Sequence, residues 1–324
     1  MAITINGTSG VTLTNQFDSA SSFGFKNRII NGQMQIAQRA TSATITAGST
    51  IAAGYSTVDR FYVYCTGANV TAAQVAGSGA NKNNLQITGA ASVTAIGVGQ
   101  RIEQLNSYDM AGSTATLSVN LSNSLLTTVT WTASYATTTA DTFGTLASPT
   151  VTQIATGTFT VTSTLTNYNA QITIPAAATT GIQIVFTVGA QISGTWVIGN
   201  VQLEKSSIAT SFDYRPYSTE LALCQRYFVG ITNAGFAGVG FNESTTKTNP
   251  YINLPVLMRS TPTFTAPTTY QVNYAAASTP GTAISSNIGA AGGLLSVTTA
   301  AVLTTGQCAA FTVLTGTLGL SSEL

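Results

Sequence analysis

The side chain that most restricts the chemistry of this chain is one it lacks: there is no histidine. That removes the usual general base, the usual metal ligand and every Ser-His or Cys-His nucleophile. Carboxylates remain, at Asp18, Asp59, Asp109, Asp141, Asp213, Glu103, Glu204, Glu220, Glu243 and Glu323. A pair of them could hydrolyse a glycosidic bond. None falls in a compact motif, and several stand beside an arginine or lysine that would pair with them. Hydrolysis by distant acids that the fold brings together stays open. The three cysteines, Cys65, Cys224 and Cys308, are too few and too scattered for a disulfide framework or a zinc site, and read as small buried apolar residues. P-loop, dinucleotide and EF-hand spacings are absent. The reading is a protein without catalytic residues, cofactor or metal.

Aromatic rings offer binding chemistry instead. Trp131, Tyr135, Tyr168 and Trp196 could each stack on a sugar ring. Trp131 and Trp196 lie in apolar strands, which favours a place in the core or an interface. Tyr135 falls in a Thr/Ser-rich stretch read as a loop. Trp131, Tyr135 and Tyr168 are therefore the candidate glycan contacts. Arg28, Arg39, Asp59 and Arg60 are conspicuous as charges in a chain with few. Asp59 is expected to pair with one of those arginines at a sheet edge, where a bidentate contact would fix strand ends.

The elements that must position these residues follow from composition and period. Across 324 residues only 6% are charged, against roughly 25% in ordinary soluble proteins. The hydrophobic share is 44%, so Thr, Ser, Asn, Gln and Gly replace the missing charge. That excludes a long charged helical shaft and suits short strands with neutral polar surfaces. A net charge of +1 gives no field to steer nucleic acid. No apolar run of about 18 residues is present for membrane insertion. The first residues lack the basic-then-apolar order of a secretory signal, which implies maturation in the cytoplasm of the producing cell.

Period-2 alternation is clear at Leu117, Val119 and Leu121, at Ile182, Ile184 and Phe186, and at Val201 and Leu203. Further strands are expected at 43–47, 58–65, 85–87, 129–133, 159–161 and 170–174. About nine strands without intervening amphipathic helices predict an all-β chain, its main domain an antiparallel jelly-roll sandwich. The expected organisation is a leader over 1–26, a jelly roll over 27–206, a connector with a short helix over 207–229 and a second β domain over 230–324. The helix is placed at 219–228, with Ser218 or Thr219 as cap and Glu220 in its first turn. Leu221, Cys224 and Phe228 share one face. So short a helix must pack on something, and those three residues are expected at an oligomer axis. From residue 266 onward only Glu323 is charged, a composition that suits burial between identical chains.

Two segments carry a resemblance. One is Lys26–Arg39 (KNRIINGQMQIAQR) followed by Thr57–Phe61 (TVDRF). The other is Gly199–Tyr217 (GNVQLEKSSIATSFDYRPY) running into Glu220–Phe228 (ELALCQRYF). Together they resemble a widespread group of bacteriophage tail-fibre and fibre-like virion proteins, whose central domain is similar to the jelly roll of carbohydrate-binding modules. The start Met1–Gly7 also looks like that of many phage fibre proteins. The resemblance implies a homotrimer whose leader attaches to a baseplate, tail or other virion protein. It implies a host-surface glycan as ligand, and a virion location after synthesis in the host cytoplasm. Two other arrangements are compatible with it: a capsid decoration or head-fibre protein, and a glycan-cleaving tail spike.

Overall fold

The computed structural model describes residues 4–6, 10–12, 26–48, 54–79, 81–146, 148–232, 235–275 and 277–324. The chain is almost wholly β. In the leader, β1 (Thr4–Asn6) pairs antiparallel with β2 (Gly10–Thr12). The other residues of the expected leader up to 25, namely 1–3, 7–9 and 13–25, lie outside the described residues.

The sandwich holds eleven strands: β3 (Ser42–Ile45), β4 (Tyr62–Thr66), β5 (Val70–Ser78), β6 (Asn81–Thr88), β7 (Ala95–Ile102), β8 (Thr114–Asn123), β9 (Thr128–Ala136), β10 (Val151–Thr160), β11 (Thr166–Thr173), β12 (Ile182–Val188) and β13 (Thr195–Glu204). They form a five-stranded sheet, β10-β9-β12-β7-β4, and a six-stranded sheet, β11-β8-β13-β6-β5-β3. Every pairing is antiparallel, and the chain crosses repeatedly between sheets from β6 to β13. This is the expected jelly-roll sandwich. Alternation drives it, because the inward residues of both sheets form one continuous core. Leu117, Val119 and Leu121 of β8, Ile182, Ile184 and Phe186 of β12, and Trp196 and Ile198 of β13 all belong to it.

Helix α1 (Tyr217–Gln225) begins two residues earlier than the pattern predicts and ends before Phe228. Pro216 takes the N-cap position, and neither Ser218 nor Thr219 caps it. After α1 come β14 (Phe228–Thr232), β15 (Gly235–Ser244), β16 (Lys247–Asn253), β17 (Thr263–Thr265), β18 (Thr269–Tyr274), β19 (Ala277–Gly289), β20 (Gly292–Thr299), β21 (Cys308–Thr315) and β22 (Thr317–Ser321). A closed barrel, β15-β16-β20-β19-β18-β21, sits beside a small sheet, β14-β22-β17. Barrel and small sheet share a second core containing Ile252, Val272, Phe311 and Leu320.

The helix does not present Leu221, Cys224 and Phe228 to an axis. Cys224 is fully buried against Ile30, Ile36 and Tyr227, and Leu221 packs half-buried on the same cluster. Phe228 is 5% exposed, with the Arg39 guanidinium 3.6 Å above its ring. Nine residues of helix need a surface to pack on, and this one uses its own chain's motif loop. Burial pushes the Cys224 thiol well above its usual range, as for a packing residue. Cys65 is buried too, whereas Cys308 is exposed on the barrel's outer surface.

Sandwich, helix and barrel meet at a buried ionic junction. Arg60, 1% exposed, pairs with Glu323 and donates to the Arg101 carbonyl at 2.6 Å. Arg39 pairs with Glu323 at 3.3 Å and with Asp59 at 3.9 Å. Asp59 accepts from the Gln38 main chain at 3.0 Å, and the Gln38 side chain reaches on to the Phe228 carbonyl at 2.8 Å. Arg226 clamps Glu103 at 2.7 and 3.1 Å, while Tyr227 donates to the same carboxylate at 2.8 Å. Arg215 holds Glu220 at 3.2 Å and the Ile29 carbonyl at 3.2 Å. Arg28 pairs with Asp109 at 2.7 Å beside this region. Of the four charges singled out in the sequence, Arg39, Asp59 and Arg60 converge here.

Removing one partner of a buried pair leaves the other charge desolvated, which costs about 3–5 kcal/mol. Glu323→Gln leaves Arg39 and Arg60 short of a counter-charge, so chemical denaturation should show a loss of that size. A loss below about 1 kcal/mol, the value of a water-accessible pair, would contradict burial of the junction.

Candidate functional site

The sequence-derived ring set is not a platform. Trp131 is 6% exposed and turned inward, 6.4 Å from Phe159. Phe159 in turn lies 5.4 Å from Tyr168, which is half-buried at the β10/β11 edge. Tyr135 is not in a loop: it lies in β9, opposite Thr152 and Ile182, and packs half-buried on the core. Trp196 is fully buried. Inward alternation claims these rings because each shares its strand face with core residues.

A different pair of rings lies on the outer face of the five-stranded sheet. In β7, Ile96 and Val98 face the core, so Gly97 and Gly99 face outward. In β4 the outward residues are Tyr62 and Tyr64, in register with Gly99 and Gly97. A Cβ at Gly97 would stand 2.1 Å from the Tyr64 ring, and one at Gly99 would stand 2.4 Å from the Tyr62 hydroxyl. The rings therefore lie across β7, with centroids 6.5 Å apart and planes 22° from parallel. Tyr62 is fully covered by Tyr55, packed edge-on at 5.9 Å, and has the Arg101 guanidinium 5.5 Å from its ring centre. Tyr64 is half-buried, with part of its ring open to solvent. Burial raises the ionisation of both phenols above the usual range.

Register extends this face across the sheet. One row runs Tyr64, Gly97, Thr187, Thr130, Thr158, and the next runs Tyr62, Gly99, Val185, Thr132, Thr156. A third contains Arg101, Gln183 and Ser134, with Arg101 donating to the Gln183 side chain at 2.9 Å. Thr132 and Thr156 hydroxyls meet at 3.2 Å. Tyr62, Arg101, Gln183 and Ser134 are buried, so the open part of these rows is the Tyr64 ring and the hydroxyls of Thr130, Thr132, Thr156, Thr158 and Thr187, with no carboxylate. Such a surface can stack on one face of a ring-shaped ligand and exchange hydrogen bonds with its hydroxyls.

The described acids are engaged elsewhere. Asp141 accepts the Gln104 amide at 2.7 Å, Glu204 accepts Thr210 at 2.7 and 2.9 Å, and Glu243 pairs with Lys247 at 2.8 Å. Asp59, Asp109, Glu103, Glu220 and Glu323 lie in the junction pairs, and Asp213 is 3.9 Å from Arg215. Tyr64 escaped the sequence reading although a signal existed: alternating Tyr-Val-Tyr in one strand and Gly-Val-Gly in another are complementary surfaces.

No family model matches the chain, and no curated protein matches it. Among solved structures it is similar to a CBM4 domain, at 14% identity over 54% of this chain and 98% of that one, TM-score 0.35. It is also similar to TmCBM61 bound to β-1,4-galactotriose, at 10% identity over 56% of this chain and all of that one, TM-score 0.34. A third likeness is to the enzymatically active domain of bacteriophage CBA120 tailspike protein 4, at 16% identity over 55% of this chain and 21% of that one, TM-score 0.33. What the chain does rests on its own residues.

Gly97→Ala should lift the Tyr64 ring off β7 at a stability loss of no more than about 1–3 kcal/mol. With burial relieved, Tyr64 ionises at lower pH, and spectrophotometric titration should show one phenol moving toward its ordinary range. Unchanged titration and unchanged stability would contradict the stacked geometry.

Proposed function

We propose that this chain is a non-enzymatic glycan-binding subunit of a phage fibre or fibre-like appendage. The observation that carries the binding reading is the Tyr64 ring lying flat on glycine beside rows of threonine hydroxyls, on a face without a carboxylate. A flat ring contributes apolar area toward a sugar's C–H face, and the threonine hydroxyls beside it fix its orientation. The missing histidine and the engaged acids leave that face suited to holding a saccharide, not to cleaving one.

The virion assignment rests on the two sequence motifs, which the fold gathers into the junction. In this reading the leader attaches to a tail, baseplate or other virion protein, and the chain assembles as a homotrimer made in the host cytoplasm. The self-association surface is not α1 but the outer wall of the barrel. There Val239, Tyr251 and Leu294 stand in one row across three strands, 51%, 50% and 41% exposed. Phe236 and Phe241 on the same strand as Val239 are 62% and 53% exposed. A contiguous apolar face on a chain with so few charges fits a second copy of itself.

Two measurements test this reading. A glycan-array hit followed by calorimetry should show Tyr64→Ala weakening affinity about tenfold or more, near 1.4 kcal/mol; unchanged affinity would place the site elsewhere. Sedimentation of the Phe241→Glu, Tyr251→Glu variant should show monomers where the parent chain forms trimers, and an intact trimer would reject the barrel wall as the contact.

A further inference from the structure

A cavity of about 580 Å³ opens where the sandwich meets the small sheet β14-β22-β17. Its lining includes Arg39, Arg101, Arg259 and one carboxylate, Glu323, with the hydroxyl residues Ser260, Thr261 and Thr263 beside them. The charge balance there is uneven. Glu323 and Asp59 serve Arg39 and Arg60. Arg101 and Arg259 make no ion pair with any described acid. Arg101 donates to Gln183 and to the main-chain oxygens of Gly144 and Leu324, each at 2.9 Å. Arg259 donates to the carbonyls of Ser322 and Glu323 at 2.7 and 3.1 Å. Asp141 lies within electrostatic reach of Arg259 but is bonded to the Gln104 amide.

Two further observations point the same way. Arg39 Nη1 is buried without a hydrogen-bond acceptor, 3.9 Å from the Asp59 carboxylate. Burial also pulls the Arg39 guanidinium down to about 10, a desolvation that the nearby Asp59 charge only partly offsets. Guanidinium forks lined by hydroxyls match the geometry of carboxylate, sulfate and phosphate groups. Arg101 connects this cavity to the tyrosine face, since it shares the outward row with Gln183 and lies against Tyr62.

We infer that the cavity between sandwich and small sheet binds an oxyanion, and that its source is the acidic substituent of a saccharide lying along the Tyr64 face. The saccharide part rests on the glycan-binding reading given above; the oxyanion part does not. Arg259 is the residue that distinguishes an acidic from a neutral glycan, and Arg101 is held too firmly by Gln183 and Gly144 to be altered without disturbing the fold.

The test is calorimetric titration of the full chain with inorganic sulfate at low ionic strength, using chloride as control. One saturable site per chain is expected, weakened at least tenfold in Arg259→Gln and largely restored in Arg259→Lys. Tyr64→Ala should leave sulfate binding unchanged, which separates this site from the failure of the ring platform. No saturable sulfate binding, or binding indifferent to Arg259→Gln in a variant that melts like the parent, overturns the site. In a second arm, oligogalacturonate should displace sulfate and the uncharged oligogalactoside of equal length should not. Sulfate binding that no acidic saccharide displaces would overturn the saccharide as source and leave a free inorganic anion.

Discussion

Burying a guanidinium is expensive unless every donor finds an acceptor, and this chain does it repeatedly at one place. Its seven arginines all lie at or beside the meeting of sandwich, helix and barrel, while the rest of the surface is close to uncharged. Arg60 joins Glu323, near the end of the described chain, to the sandwich, and Arg39 stacks on Phe228 while sharing the same carboxylate. Such pairs add little net stability compared with apolar packing, but they punish misalignment. A barrel docked in another orientation would strand several buried charges at once. The junction therefore acts as a specificity device that fixes one unit against the other. It also sets the position of Arg101, and with it one end of the tyrosine-bearing face.

The junction explains why the two recognisable motifs are long and lie far apart in sequence. Lys26–Arg39 and Thr57–Phe61 form the sandwich side of the junction. Gly199–Phe228 supplies its last strand, the Arg215–Glu220 pair, helix α1 and the Arg226 clamp on Glu103. Tyr227 lies with Arg60 3.6 Å above its ring and its hydroxyl on Glu103, which ties cation–π contact and hydrogen bond to one side chain. Burial raises that phenol to about 12, so it stays a donor at any physiological pH. Chemistry-bearing residue types are present here, yet their neighbours spend them on architecture.

The all-β class, the sandwich and the ends of several strands were legible because alternation reports burial directly. Leu117, Val119 and Leu121, or Ile182, Ile184 and Phe186, admit few other arrangements. Strand β7 was not legible, since Gly97 and Gly99 read as turn punctuation when they are seats for tyrosine rings. The helix was visible in its period but not in its partner: a ten-residue amphipathic pattern cannot say whether its apolar side meets a sister chain or its own loop. Ring chemistry marks Trp131 and Tyr168 as sugar contacts, but both lie on the inward phase of their strands. Pairings such as Arg60 with Glu323, or Arg226 with Glu103, join residues 263 and 123 positions apart. No local pattern encodes them.

The central claim is that a saccharide rests on the outer face of the five-stranded sheet, at a position set by the arginine junction. A crystal structure of the full chain with a bound host oligosaccharide tests it most directly. The account predicts a sugar ring stacked on Tyr64, with hydrogen bonds to Thr130, Thr158 or Thr187. A saccharide found only on the barrel wall, or at the β10/β11 edge beside Tyr168, would contradict it.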